Sequence, residues 1–184
     1  MRVLQAIITV AAFSVFSSAY ADEIVSCPHS EVRPVSFTSI NAIDQAELAI
    51  IGDDCSTAEL TVSISTATGK EVLRHRTSFT RLQHPGEQSL QRGGVFLVLE
   101  RQWDALVRSE TTASAPQWDI DKHPTASRFA ASTGVATDLP RDQYERVRSL
   151  DQPLACVLIT LTTQDCFYFD PGTQRSRKFL TRRK

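Results

Sequence analysis

The chain has 184 residues, 41% of them hydrophobic, and a formal net charge of −1. That length and apolar content suffice to bury a core in a single domain, which sets the chain apart from miniproteins held together only by disulfides. Beyond the first residues no stretch is long and apolar enough to span a bilayer.

At the amino terminus, Arg2 precedes an apolar run from Val3 to Phe16, and Ala19-Tyr20-Ala21 follows. A charged start, a hydrophobic stretch and a small-x-small site form the pattern of a secretory signal peptide, with cleavage expected after Ala21. Gln5, Thr9, Ser17 and Ser18 interrupt or end the run, which argues against a retained anchor. Asp22 and Glu23 part it from Ile24-Val25-Ser26-Cys27, which argues against a lipoprotein signal. Residues 22–184 are expected to be one domain in an oxidising compartment. Sixteen of the 20 basic residues are arginine and Asn41 is the only asparagine, a bias that points to GC-rich coding. Together with export, that makes a bacterial periplasm the leading compartment and secretion the alternative.

Along the chain, Glu47–Ile51 is a short apolar run stopped by Gly52-Asp53-Asp54. Leu60, Val62 and Ile64 alternate with polar residues, the period of a half-buried strand, and Val72–Phe79 reads as its antiparallel partner across a turn at Ala67-Thr68-Gly69-Lys70. Residues 81–94 hold Pro85, Gly86, Gly93 and Gly94 and read as a loop. A helix is expected over Val95–Ser109, with Phe96, Leu99, Trp103, Leu106 and Val107 on the buried face and Arg101, Asp104 and Arg108 on the wet side. Residues 109–139, rich in Ser, Thr, Ala and Pro, read as a long excursion with one short helix near Ser127–Ala131. A second helix starts at Asp138-Leu139-Pro140, with an acidic N-cap, buries Tyr144, Val147 and Leu150, and ends before Pro153.

Ala155–Leu161 is a continuous apolar run suited to a central strand, Thr163-Gln164 a turn, Cys166–Phe169 a strand, and Asp170-Pro171-Gly172 a further turn. Arg177–Thr181 reads as a charged edge strand. Grouped rather than alternating elements predict an α+β fold with a mainly antiparallel sheet, two helices and disulfide bonds.

Four cysteines, Cys27, Cys55, Cys156 and Cys166, allow two bridges in three connectivities. Pairing by order is the expectation, with a structural role. A turn at Thr163-Gln164 would leave Cys156 about four residues out of register with Cys166, too far to bond. Either the turn lies near Leu161, or the bridges cross.

No catalytic or cofactor motif is present: neither a Gly-x-Ser-x-Gly elbow nor a His-Glu-x-x-His helix occurs, and His29, His75, His84 and His123 match no metal spacing. Gln-Trp-Asp occurs at 102–104 and at 117–119, without matching surroundings. Asp119, Asp121 and His123 form the densest polar cluster, and would supply acid and base in a small hydrolase. Trp118 lies beside them on the excursion, either buried or available as an anchor. The carboxyl-terminal end is basic, with Arg175, Arg177, Lys178, Arg182, Arg183 and Lys184, whereas residues 22–59 hold eight acids and one base. The tail reads as a frayed end, as a strap against that acidic stretch, or as a contact for anionic cell-wall or membrane polymers. Nucleic acid is excluded by the compartment.

These residues point to a non-enzymatic binding or accessory protein of the cell envelope, using no cofactor or metal. Trp118, Asp119, Asp121 and the basic tail would be its contacts, and an envelope protein or anionic polymer its partner. Small exported disulfide-bonded α+β domains without catalytic motifs include inhibitors of cell-wall hydrolases, which the chain resembles in general character. A purely structural envelope component is the remaining alternative.

Overall fold

The computed structural model describes residues 27–84, 92–108, 110–118, 129–130 and 134–183. The signal peptide and its cleavage site lie outside them. Two antiparallel sheets and two helices make an α+β fold. The first sheet is a meander of β1 (His29–Val35), β2 (Asp44–Ile51), β3 (Glu59–Ser65) and β4 (Glu71–Ser78), in sequence order. Its hairpin β3–β4 turns where expected. Gly69 takes φ 81°, donating to the Thr66 carbonyl while Lys70 accepts from Thr66 N–H. At the β2–β3 connection Gly52 has φ 139°, and a Cβ there would sit 3.1 Å from the Ala58 backbone. The bridge Cys27–Cys55 ties the entry of β1 to this connection.

After a 3-10 turn at Phe79–Leu82 comes α1 (Arg92–Leu106). Its buried stripe is Val95, Val98, Leu99, Gln102, Trp103 and Leu106, spaced by three and one. The stripe is rotated from the expected face. Phe96 is exposed and meets His29 edge-on, and Val107, past the last helical residue, is also exposed.

The second sheet runs β5 (Phe129–Ala130), β6 (Val135–Thr137), β9 (Arg175–Arg183), β8 (Thr163–Asp170), β7 (Ala155–Thr160). Ser127–Ala131, read as a short helix, contains β5 instead, which pairs antiparallel with β6. Thr163-Gln164 is not a turn but the start of β8. Leu161 and Thr162 make the turn, so Cys156 faces Cys166 directly and the two are bonded, Cα–Cα 4.0 Å. Both bridges therefore follow sequence order.

Two strand positions also differ from expectation. β7 is the edge of its sheet, yet both of its faces are covered, which is what its apolar run records. Its Leu158 N–H donates to Oε1 of the buried Gln102 on α1, 3.1 Å away, which blocks that edge. Conversely β9 lies inside the sheet, between β8 and β6, rather than at its margin. Among the described residues β6 meets β9 only at Thr181 and Arg182, so the basic first half of β9 has one open side. The tail is thus a strand and not a frayed end.

Between β6 and β7 lies α2 (Arg141–Arg148). Pro140, not Asp138, occupies its N-cap position, and the helix ends before Leu150, which stays exposed. Asp151 then takes φ 48°.

Two apolar clusters flank the second sheet. One joins β2, β3, β4 and α1 to Ala155, Val157 and Phe169 on one face. The other packs Trp118, Tyr144 and Val147 against Cys156, Cys166, Phe179 and Leu180 on the opposite face. Tyr144 stacks on Phe179 at 4.9 Å, and Trp118 meets Tyr144 edge-on at 5.8 Å. Burial pushes the Tyr144 phenol up to about 12, so it stays a neutral donor, bonded to the Pro116 carbonyl at 2.7 Å.

Candidate binding groove

The loop from 36 to 43 is built around one carboxylate. Asp44, 2% exposed, accepts from Phe37 N–H at 3.1 Å, Thr38 N–H at 2.7 Å and the Thr38 hydroxyl. Such charge-assisted bonds fix a turn more firmly than neutral ones. Phe37 is buried against Phe169, and Ser36 Oγ closes the loop on the Ala42 carbonyl at 3.1 Å. With Phe37 inside, Ile40 and Ile43 are left outside, 66% and 69% exposed.

Opposite stands the end of α1 and the strap after it. Val107 N–H still bonds the Trp103 carbonyl, Glu110 N–H bonds that of Arg108, and Leu154 N–H bonds that of Glu110. A bridge between Thr111 and Pro153 continues this wall. Between the walls lies a groove of about 380 Å³, its lining apolar except for Ser36, Arg108, Glu110 and Thr111. Three of those four are engaged internally: Ser36 with Ala42, Thr111 with Asp151, and Glu110 with Arg182. Arg108 is exposed and has no ion-pair partner among the described residues.

The residues singled out from sequence lie elsewhere. Trp118 is 6% exposed, and its N–H is held by Glu145 at 2.7 Å, so it is a core residue. Through Tyr144 it is joined to Phe179 of the basic strand. Asp119, Asp121, His123 and Lys184 lie outside the described residues. On β9, Arg177 pairs with Asp170 at 2.8 Å, Lys178 with Asp165 at 2.9 Å and Arg182 with Glu110. Those partners are not the acidic stretch 22–59 that a strap would have used. Arg175 and Arg183 are exposed.

The groove residues Ile40, Ile43 and Arg108 were not among the sequence candidates. Their one sequence signal is two isolated isoleucines set among Ser39, Asn41 and Asp44, where a loop has no core to fill.

Two polar clusters lie outside the groove. Glu31 on β1 accepts from Trp103 Nε1 at 2.8 Å and Arg33 at 3.0 Å, and pairs with His29 at 3.2 Å. Burial acts to raise its pKa, but these bonds and the Arg33 charge outweigh it, holding the carboxyl below its ordinary value. The arrangement clasps α1 to β1. Between the sheets, the His75 ring packs on Phe167 at 5.8 Å, near Asp165, which also accepts from Thr181 at 2.6 Å. Thr181 is thereby committed to Asp165. Among the described residues no group of three His, Cys, Asp or Glu side chains is placed to hold a metal ion.

Burial pushes the His75 imidazole below its ordinary 6.5, with Asp165 pulling it up and Lys178 pushing it down. The folded state therefore disfavours the proton. Stability should be full above pH 6.5 and fall as pH drops below it, because the unfolded chain takes up the proton first. His75→Phe should flatten that slope in thermal melts; an unchanged slope would place the titration elsewhere.

Compared with protein-family models, with curated proteins and with solved structures, the chain matches none.

Proposed function

We propose that this chain is a non-enzymatic binding protein of the cell envelope, in the periplasm or secreted, which holds an envelope component in the groove beside Ile40 and Ile43. Two disulfides fit an oxidising compartment. No helix among the described residues is long and apolar enough to cross a membrane. The observation that carries the reading is the ring of Ile40, Ile43 and Val107, more than half exposed on hydrogen-bonded walls around a concave apolar surface. Apolar clusters of this kind mark binding surfaces rather than packing. The basic strand is a secondary contact, because Asp170, Asp165 and Glu110 already neutralise three of its cations.

The test is affinity capture from the protein's own envelope fraction, with retained proteins and lipids both identified, for the native chain and for Ile43→Asp. A component retained by the native chain, lost from the variant and insensitive to high salt is expected, since apolar contact is not screened. Equal retention by the two proteins would overturn the reading.

A further inference from the structure

The occupant of the groove can be argued from the groups that line it. Pro34 and Pro153 have no N–H, and those of Ala42, Val107, Glu110 and Leu154 are bonded within the chain. An extended peptide entering here would surrender backbone hydration and meet no free backbone donor at those six positions, which is unfavourable for each carbonyl left unpaired there. A hydrocarbon chain has no such need. At about 380 Å³ the groove is near the lower end of small-ligand sites, roughly 300–1,000 Å³, and too small for a helix about 10 Å wide.

Charge adds the second constraint. Glu110 is neutralised by Arg182, so among the described residues the lining keeps one charge without an ion-pair partner, the Arg108 guanidinium just past the end of α1. A guanidinium beside an apolar surface favours a carboxylate or phosphate at the end of the bound chain. We infer that the groove holds a single-chain anionic amphiphile, its hydrocarbon against Ile40, Ile43 and Val107 and its acidic head on Arg108. The monomeric amphiphile is meant, not a membrane surface. This inference rests on the binding reading above and names the class of ligand.

Titration calorimetry on the oxidised full chain, with dodecanoate and dodecyltrimethylammonium each below micelle formation, tests it. Dodecanoate should bind once per chain and more tightly than the cation of equal chain length. Arg108→Glu should weaken dodecanoate about two- to five-fold, the range of an exposed ion pair, and remove its preference over the cation. Ile43→Asp and Val107→Asp should each weaken it about tenfold or more while leaving the thermal melt unchanged, because both positions are exposed.

Equal binding of the two amphiphiles, no binding of dodecanoate, or indifference to all three substitutions would each overturn the inference. So would binding to anionic phospholipid vesicles by a chain that ignores monomeric dodecanoate. Should the inference fail while Ile43→Asp still abolishes capture of an envelope protein, the binding reading stands and only the ligand class is wrong. If the capture also survives Ile43→Asp, both fall.

Discussion

Trp103→Ala is expected to destabilise the protein by about 3–5 kcal/mol, the range for emptying the site of a fully buried large aromatic. Trp103 is 1% exposed in the cluster that joins α1 to both sheets. Its indole N–H bonds Glu31 at 2.8 Å, and the Arg33 guanidinium lies 4.7 Å above the ring while also pairing with Glu100 at 3.0 Å. One side chain thus anchors α1 to the outermost strand of the first sheet by packing, a hydrogen bond and a cation over its face. Trp103→Phe separates these contributions. It keeps most of the buried ring and loses the bond to a carboxylate, worth about 1.5–3 kcal/mol. Urea unfolding of both variants reads the ranking directly. A cost below about 1 kcal/mol for the alanine variant would mean that the helix is not seated on β1 in this way.

Removing the bridge Cys27–Cys55 by paired alanine substitution is expected to cost about 3–4 kcal/mol. It closes a segment with a sequence separation of 28, against 10 for Cys156–Cys166. On the chain-entropy account the shorter loop contributes less, about 2–3 kcal/mol. Its cysteines also already face one another across the β7–β8 ladder. The order of the two losses in urea denaturation is therefore the discriminating result. A greater loss from the β7–β8 pair would show that strain or residual structure in the unfolded chain, not loop length, governs these bridges. Cys27 is 1% exposed, so alanine there also removes a little buried surface, in the same direction.

What could be read in advance follows from how each element earns its burial. β3 alternates apolar and polar residues and a glycine turn leads into β4, so both were legible. β1 was not, because the side that faces α1 carries His29, Glu31 and Arg33, which are half-buried by hydrogen bonding instead of by hydrophobicity. The helix α1 was legible as a helix, but its orientation depended on Gln102, a polar residue taken into the core to cap the β7 edge. Counting only apolar residues rotates the stripe by one position. The α+β class and the order-wise bridges survived these errors, since they rest on grouping and spacing.

The groove was the least legible part. Ile40, Ile43 and Val107 belong to two segments more than sixty residues apart. Around the isoleucines there is no periodic pattern, and around Val107 the helical period assigns it to the buried face; the Asp44 turn and the strap after α1 bring the three together. The conspicuous residue, Trp118, is consumed by packing on Tyr144. The conspicuous charges are largely consumed by Asp165, Asp170 and Glu110.

The placement of β9 has a consequence for assembly. Its neighbours β6 and β8 both precede it along the chain, and in the sheet β9 stands between them. The β7–β8 hairpin can form alone, but β6 cannot join it until Arg175–Arg183 slots into the gap, and closing so distant a pairing as Val135 with Arg182 is slow.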